Sequence, residues 1–293
     1  MPGPQRILLQ TTIEDAEDDW AIHRFSVLRD YLAGLPGVEV YARDRGAPQG
    51  ETDPLLANLD MSDFDQMWLF AVDTGNGLNP DECAGISRFR ASGRGLLVTR
   101  DHMDLGSSVC TLGGVGDAHH FHTRNPEADP ARRVIDDRET AAILWPNYHS
   151  GANGDFQTIA VAGEPHPVLH DPESEDGSGV LTRLPSHPHE GAVSAPPGDR
   201  SARVIATGRS KVTGAEFNIA VAFEPERRAG PAIAQSTFHH FADYNLDPRR
   251  GAPSFVTEPA GFDMVWFSDA GRQARRYYRN LADWLGRGPG RGW

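Results

Sequence analysis

Three observations predict an α/β fold with a mainly parallel sheet. The N-terminal third reads strand, helix, strand and then strand, helix, strand, the pattern left by a parallel sheet with right-handed crossovers. The run Leu96 to Thr99 is apolar and β-branched enough to be a fully buried strand, and too short to be a core helix. It then meets Arg100, Asp101, His102 and Asp104, and open α/β sheets gather their ligands outside the carboxyl ends of such strands.

Taken in order, Arg6–Thr12 is the first strand, followed by an acidic stretch, Ile13–Asp19, in which Asp18 or Asp19 is a candidate N-cap. From Trp20 to Leu35 the residues Ile22, Phe25, Leu28, Tyr31, Leu32 and Leu35 recur at helical spacing, with His23 just inside the helix. Gly37 stops it and Val38–Tyr41 is the second strand. Phe64–Val72 is a third, strongly apolar strand that ends in the loop Asp73-Thr-Gly-Asn76-Gly77. Pro80 opens a helix that runs to about Ala91.

Between about residues 106 and 200 the chain is rich in Pro, Gly, Asp, His and Ser, with short strand candidates such as Phe156–Ala162. A region this long without regular structure marks functional loops or disorder, and its Trp, Tyr and His content favours ordered loops that cover something. Ala202–Thr207, Phe217–Phe223 and Gly230–Phe238 restore strand pattern, the last ending in His239 and His240. Gly271–Leu285 closes the chain as an amphipathic helix, and residues 286–293 are expected to fray. The whole of 1–293 reads as one domain.

Composition narrows the function classes. A net charge of −13 lacks the clustered basic residues a nucleic-acid footprint needs. The longest apolar runs are far short of a membrane span, and Met-Pro-Gly-Pro-Gln-Arg has no secretory apolar core, so a cytoplasmic protein is expected. Cys83 and Cys110 are too few for a disulfide framework or a cysteine zinc site, although Cys110 follows the charged turn closely enough to be weighed as a nucleophile. No glycine pattern fits a dinucleotide fingerprint, so no nucleotide cofactor is expected.

Short motifs add a resemblance. Strand Ile7–Thr11, the helix carrying His23, a strand preceded by Leu-x-x-x-Asp-Phe-Asp, and Gly93-Arg-Gly-Leu-Leu-Val-x-x-x-His102 resemble the trehalose-utilisation (ThuA-like) branch of the class I glutamine amidotransferase-like superfamily. Glu164-Pro-His166-Pro167 and the closing Ala234-Gln-Ser-Thr-Phe-His239 agree with it. The resemblance implies a flavodoxin-like sheet flanked by helices, and a crevice shared by His102 and His239 or His240. The superfamily's amidotransferases carry a cysteine at this turn. Here Arg100, Asp101 and His102 stand there, so no glutamyl thioester can form and glutaminase activity is not expected.

The candidate chemistry is therefore His and Asp chemistry. His102, His239 and His240, with Asp101 and Asp104, form either an acid/base set oriented by carboxylates or ligands for a divalent metal such as zinc. His120 with His122, and His187 with His189, alternate on extended chain and are further metal candidates. His23, Asp73, Asn76, Asn147, His149, Asn153 and Asp243 are the expected substrate contacts; the 145–155 stretch mixes aromatics and amides as sugar sites do. The expected protein is an enzyme, a metal-dependent hydrolase or a lyase or isomerase, acting on a small polar molecule such as a carbohydrate. A homo-oligomer is compatible with this. The competing expectation is a non-catalytic ligand-binding or subunit-interaction module.

Overall fold

The structure, a computed structural model, describes residues 3–137, 140 and 142–287; the end expected to fray lies, from residue 288 on, outside the described residues. In chain order the strands are β1 (Gln5–Thr11), β2 (Val38–Arg43), β3 (Gln66–Phe70), β4 (Gly95–Thr99), β5 (His119–His120), β6 (Phe156–Thr158), β7 (Ala160–Val161), β8 (Arg183–Pro185), β9 (Ala192–Val193), β10 (Ala202–Arg209), β11 (Glu216–Phe223) and β12 (Ala232–Gln235). The helices are α1 (Ser26–Ala33), α2 (Pro54–Ala57), α3 (Pro80–Ala91), α4 (Asp243–Leu246), α5 (Asp263–Trp266) and α6 (Ser268–Leu285).

The central sheet has the order β2-β1-β3-β4-β12-β11-β10-β7. Its first five strands are parallel and the remaining three join through antiparallel pairings, so the predicted α/β class with a mainly parallel sheet is the one observed. Every residue of β3 and β4 is buried, as expected of strands covered on both faces. Trp68 and Phe70 pack with Leu28 and Leu32 of α1 and Tyr277 and Tyr278 of α6 on one face. Met67 and Leu69 pack with Ile86 and Phe89 of α3 on the other. Helix α3 begins where Pro80 predicts, behind a capping box of Asn79 and Glu82.

Two local readings change. The first helix begins later than its apolar spacing suggests, at Ser26, after a tight 3₁₀ turn over Ile22–Phe25. Neither Asp18 nor Asp19 caps it. Asp243 does so from far along the chain, accepting from the backbone N–H of Ser26 at 3.1 Å and of Val27 at 2.8 Å and from the Ser26 hydroxyl. The first N–H groups of a helix have no partner inside it, and here a distant carboxylate supplies one. Asp243, expected to contact substrate, is thereby spent on structure; burial pushes its carboxyl pKa up against the pull of these hydrogen bonds.

The long loop region carries the small pairs β5–β9 and β6–β8. Parallel β4 and β12 are neighbours, so the segments that follow them emerge side by side at the carboxyl edge of the sheet.

Removing the Asp243 carboxylate leaves two backbone donors and a hydroxyl without their acceptor. Asp243→Ala should lower unfolding stability by about 1–2 kcal/mol in urea titration. Ligand or metal uptake should survive, whereas its loss in a still-folded variant would return Asp243 to the binding site.

Candidate active site

Asp101 follows β4 and His239 follows β12, and the adjacency of those strands brings them together. The His239 Nε2 lies 3.7 Å from Asp101 Oδ2. A third group arrives from the loop after β8, where His187 places Nε2 at 3.3 Å from Asp101 Oδ1. Ligand atoms of Asp101, His187 and His239 all lie within 4.8 Å of one another, and all three residues are buried. The two imidazoles stack face to face, centroids 3.5 Å apart and planes within 11°.

Both rings are held from behind. His239 Nδ1 stands 2.8 Å from Asn245 Oδ1, and His187 Nδ1 stands 2.9 Å from Asn153 Oδ1. The amide of Asn245 donates to Asn153 Oδ1 and to the Ser186 carbonyl, which leaves its own oxygen facing His239. An amide oxygen only accepts, so each Nδ1 carries the proton and each Nε2 presents a lone pair toward Asp101. That is how metal-binding histidines are oriented by their outer partners. Donors about 2 Å from a tetrahedral ion stand roughly 3.3 Å from one another, close to the spacings here. Asp101 Oδ1 and His187 Nε2 also have no hydrogen-bond partner although buried, a cost that a cation would remove.

Charge follows geometry. Burial alone would raise the Asp101 pKa, but the neighbouring His102 outweighs it and holds the carboxyl well below the ordinary carboxylate value. Burial, and then the neighbouring His239, push the His187 pKa well below the usual imidazole value. The trio is thus a carboxylate beside a neutral imidazole, the protonation state a divalent ion needs.

These groups line a cavity of about 350 Å³ whose wall includes His102, His189, Asn153, Trp20, Phe255 and Glu258. His102 Nδ1 is 3.3 Å from Asp101 Oδ1. His189 turns Nδ1 to Asn147 Oδ1 at 3.0 Å and Asp137 Oδ2 at 3.1 Å, and Nε2 to Glu258 Oε1 at 3.3 Å. Trp20 packs edge-on against His239, centroids 4.7 Å apart.

The structure therefore brings together Asp101, His102, His187, His189 and His239, with Asn147 and Asn153 orienting imidazoles. Other candidates stand elsewhere. His240 is fully buried off the cavity wall, its ring nitrogens facing Gln235 and Gln157, with Glu190 Oε1 at 3.5 Å. Asp104 accepts from the Thr123 backbone and hydroxyl and pins a loop. His120 is taken by Asn125 O and Ser194 Oγ, and His122 by Trp145 O, so the alternation that suggested a metal pair leads them to separate partners. Asp73 accepts from Gly75 N and Ser108 Oγ, Asn76 is bonded by Thr74, and neither lines this cavity. His23 is exposed, and His149 is half-buried; both lie off the cavity wall. Trp145 and Tyr148 line a different cavity. Cys110 and Cys83 are both pushed up to about 11 by burial, far from a reactive thiolate.

Sequence reasoning missed Asn245, Glu258, Asp19 and Trp20 as parts of this site. The six-residue step from His239 to Asn245 fits no motif, and Glu258 sits in a Pro/Gly-rich link with no pattern to mark it.

What the fold and the site define is a class: an α/β protein with a histidine-rich cavity at the carboxyl edge of a mainly parallel sheet. No protein-family model matches the sequence, and no curated protein sequence matches it. Among solved structures the chain is similar to the N-terminal domain of mmIFT52, with a TM-score of 0.49, 11% identity, and 92% of this chain and 97% of that one covered. It is similar to the glutaminase domain of Trypanosoma brucei CTPS with bound acivicin, at 0.48 and 11% with 95% and 94% covered. A putative GMP synthase subunit from Thermoplasma acidophilum gives 0.43 and 11%, with 97% and 96% covered.

Buried imidazoles make stability pH-dependent. Burial lowers the pKa of His119, His187, His189 and His166, the last to about 3. The unfolded chain binds these protons near pH 6.5 and the native chain only at lower pH, so stability present at pH 7 is lost as pH falls. Urea midpoints should drop between pH 7 and pH 5, with up to about 1.4 kcal/mol per pH unit from each such histidine. His119→Gln should flatten the slope; a midpoint level across this range would contradict the buried neutral state.

Proposed function

We propose that the chain is a metal-dependent enzyme, most simply a hydrolase, acting on a small polar molecule such as a carbohydrate or carbohydrate derivative. The observation that carries this is the convergence of the His187 and His239 Nε2 atoms on the Asp101 carboxylate, with both Nδ1 protons committed to side-chain amides. Asp101, His187 and His239 would hold the ion, and His102 stands next to Asp101 as a further nitrogen. A bound divalent ion supplies Lewis acidity and lowers the pKa of water it holds.

The chain's own groups supply the rest. His189, oriented through Nδ1 by Asn147 and Asp137, presents Nε2 to the cavity beside Glu258 and is the group placed to take or give a proton there. Trp20, Phe238 and Phe255 offer apolar surface, and Thr74 and Asn153 polar contacts, the mixture sugar rings need. The ThuA-like resemblance supports the carbohydrate reading. Arg100 and Asp101, where amidotransferases carry cysteine, weigh against glutamine hydrolysis.

Chelator-treated protein should regain one divalent ion per chain on dialysis against zinc, read by metal analysis. His187→Ala and His239→Ala should abolish the uptake, and Asn245→Ala should weaken it about 10–100-fold, as losses of outer partners do. A panel of neutral sugars should raise the melting temperature of the loaded chain more than that of His189→Ala. An absence of metal uptake together with an absence of any sugar-induced shift would favour the non-catalytic module instead.

A further inference from the structure

We propose that this cavity selects molecules that are neutral or carry an amine, and turns away phosphorylated or carboxylated ones. The inference rests on the reading above that the cavity is the reaction site, and it narrows the substrate class. Three carboxylates line the wall, Asp19, Asp101 and Glu258. Imidazoles are the basic side chains there; among the described residues no arginine or lysine lines it. Sites for phosphate or carboxylate present forked, charge-assisted donors, chiefly arginine.

Among the described residues, the guanidiniums of Arg24 and Arg100 donate to backbone carbonyls rather than into the cavity. Arg24 donates to the carbonyls of Asp19 at 2.6 Å, Glu17 at 3.0 Å and Gly251 at 3.3 Å. Arg100, next to Asp101 in sequence, is fully buried; it donates to the carbonyls of Met103, Ala192 and His120 and lies over the Phe121 ring. The acidic stretch before Trp20, unused by the chemistry above, reaches the same rim. Asp18 Oδ1 accepts from Ser254 N at 2.6 Å and so ties that stretch to the loop that carries Phe255 and Glu258. One ion bound at Asp101 would leave Asp19 and Glu258, half-exposed at the rim, to oppose an incoming anion. The same carboxylates beside Trp20 and Phe255 suit an ammonium group, which aromatic faces also attract.

Calorimetric titrations with inorganic phosphate, glycerol and ethanolamine test this on the full chain, both cobalt-loaded and chelator-treated. Wild-type protein should bind ethanolamine or glycerol more tightly than phosphate. In the double variant Asp19→Asn/Glu258→Gln, phosphate should gain about tenfold or more and ethanolamine should lose a comparable factor, about 1.4 kcal/mol per tenfold. Glu258→Gln alone should move both in the same directions. Glycerol should change little. Phosphate binding to wild type as tightly as to the double variant, in either metal state, overturns the proposal. Failure to take up cobalt counts against the metal reading alone, because the charge preference is read in the chelator-treated chain as well.

Discussion

The site hangs on a relay of two side-chain amides. Asn245 accepts from His239 and donates to Asn153, and Asn153 accepts from His187. One hydrogen-bonded chain thus sets the tautomer of both imidazoles and turns both Nε2 lone pairs to the same carboxylate. Buried polar groups are costly unless every donor finds an acceptor, so this arrangement is self-consistent or it collapses. The relay satisfies the outer nitrogens of both imidazoles, while Asp101 Oδ1 and His187 Nε2 face each other without a hydrogen-bond partner.

Beneath the relay a second polar layer fixes the loops that carry it. Glu190, fully buried, accepts from Ser236 Oγ at 2.7 Å and from Gln157, with His240 alongside. Gly191 N–H donates to the Ser236 carbonyl at 3.1 Å. The segment after β8, which carries His187, is therefore stitched to the segment after β12, which carries His239. Gln235, bonded to His240 and to the Tyr277 hydroxyl, carries the connection to α6. Function at the carboxyl edge is in this way supported by the helix that closes the chain.

How much of this was legible in the sequence depended on whether the signal was local. The buried strands, the Pro80 start of α3 and the closing helix follow from short-range periodicity and capping. The pairing of the turn after β4 with the histidine after β12 followed from strand order and resemblance. The choice among the remaining histidines did not. His120 and His122 show the same alternation as His187 and His189, yet only the latter pair reaches the cavity, because β5 and β9 pair with each other at one side while the loop after β8 is tied to the end of β12.

By itself the sequence determined the α/β class, the position of a charged turn at the end of a buried strand, and the absence of a cysteine from that turn. Each is set by composition and order over a few residues. Only the tertiary structure decided that His187 joins Asp101 and His239, that Asn245 orients the set, and that Asp243 caps a helix. Those outcomes depend on which loops meet across the top of the sheet, and hydrogen bonds between residues tens of positions apart leave no period in the chain.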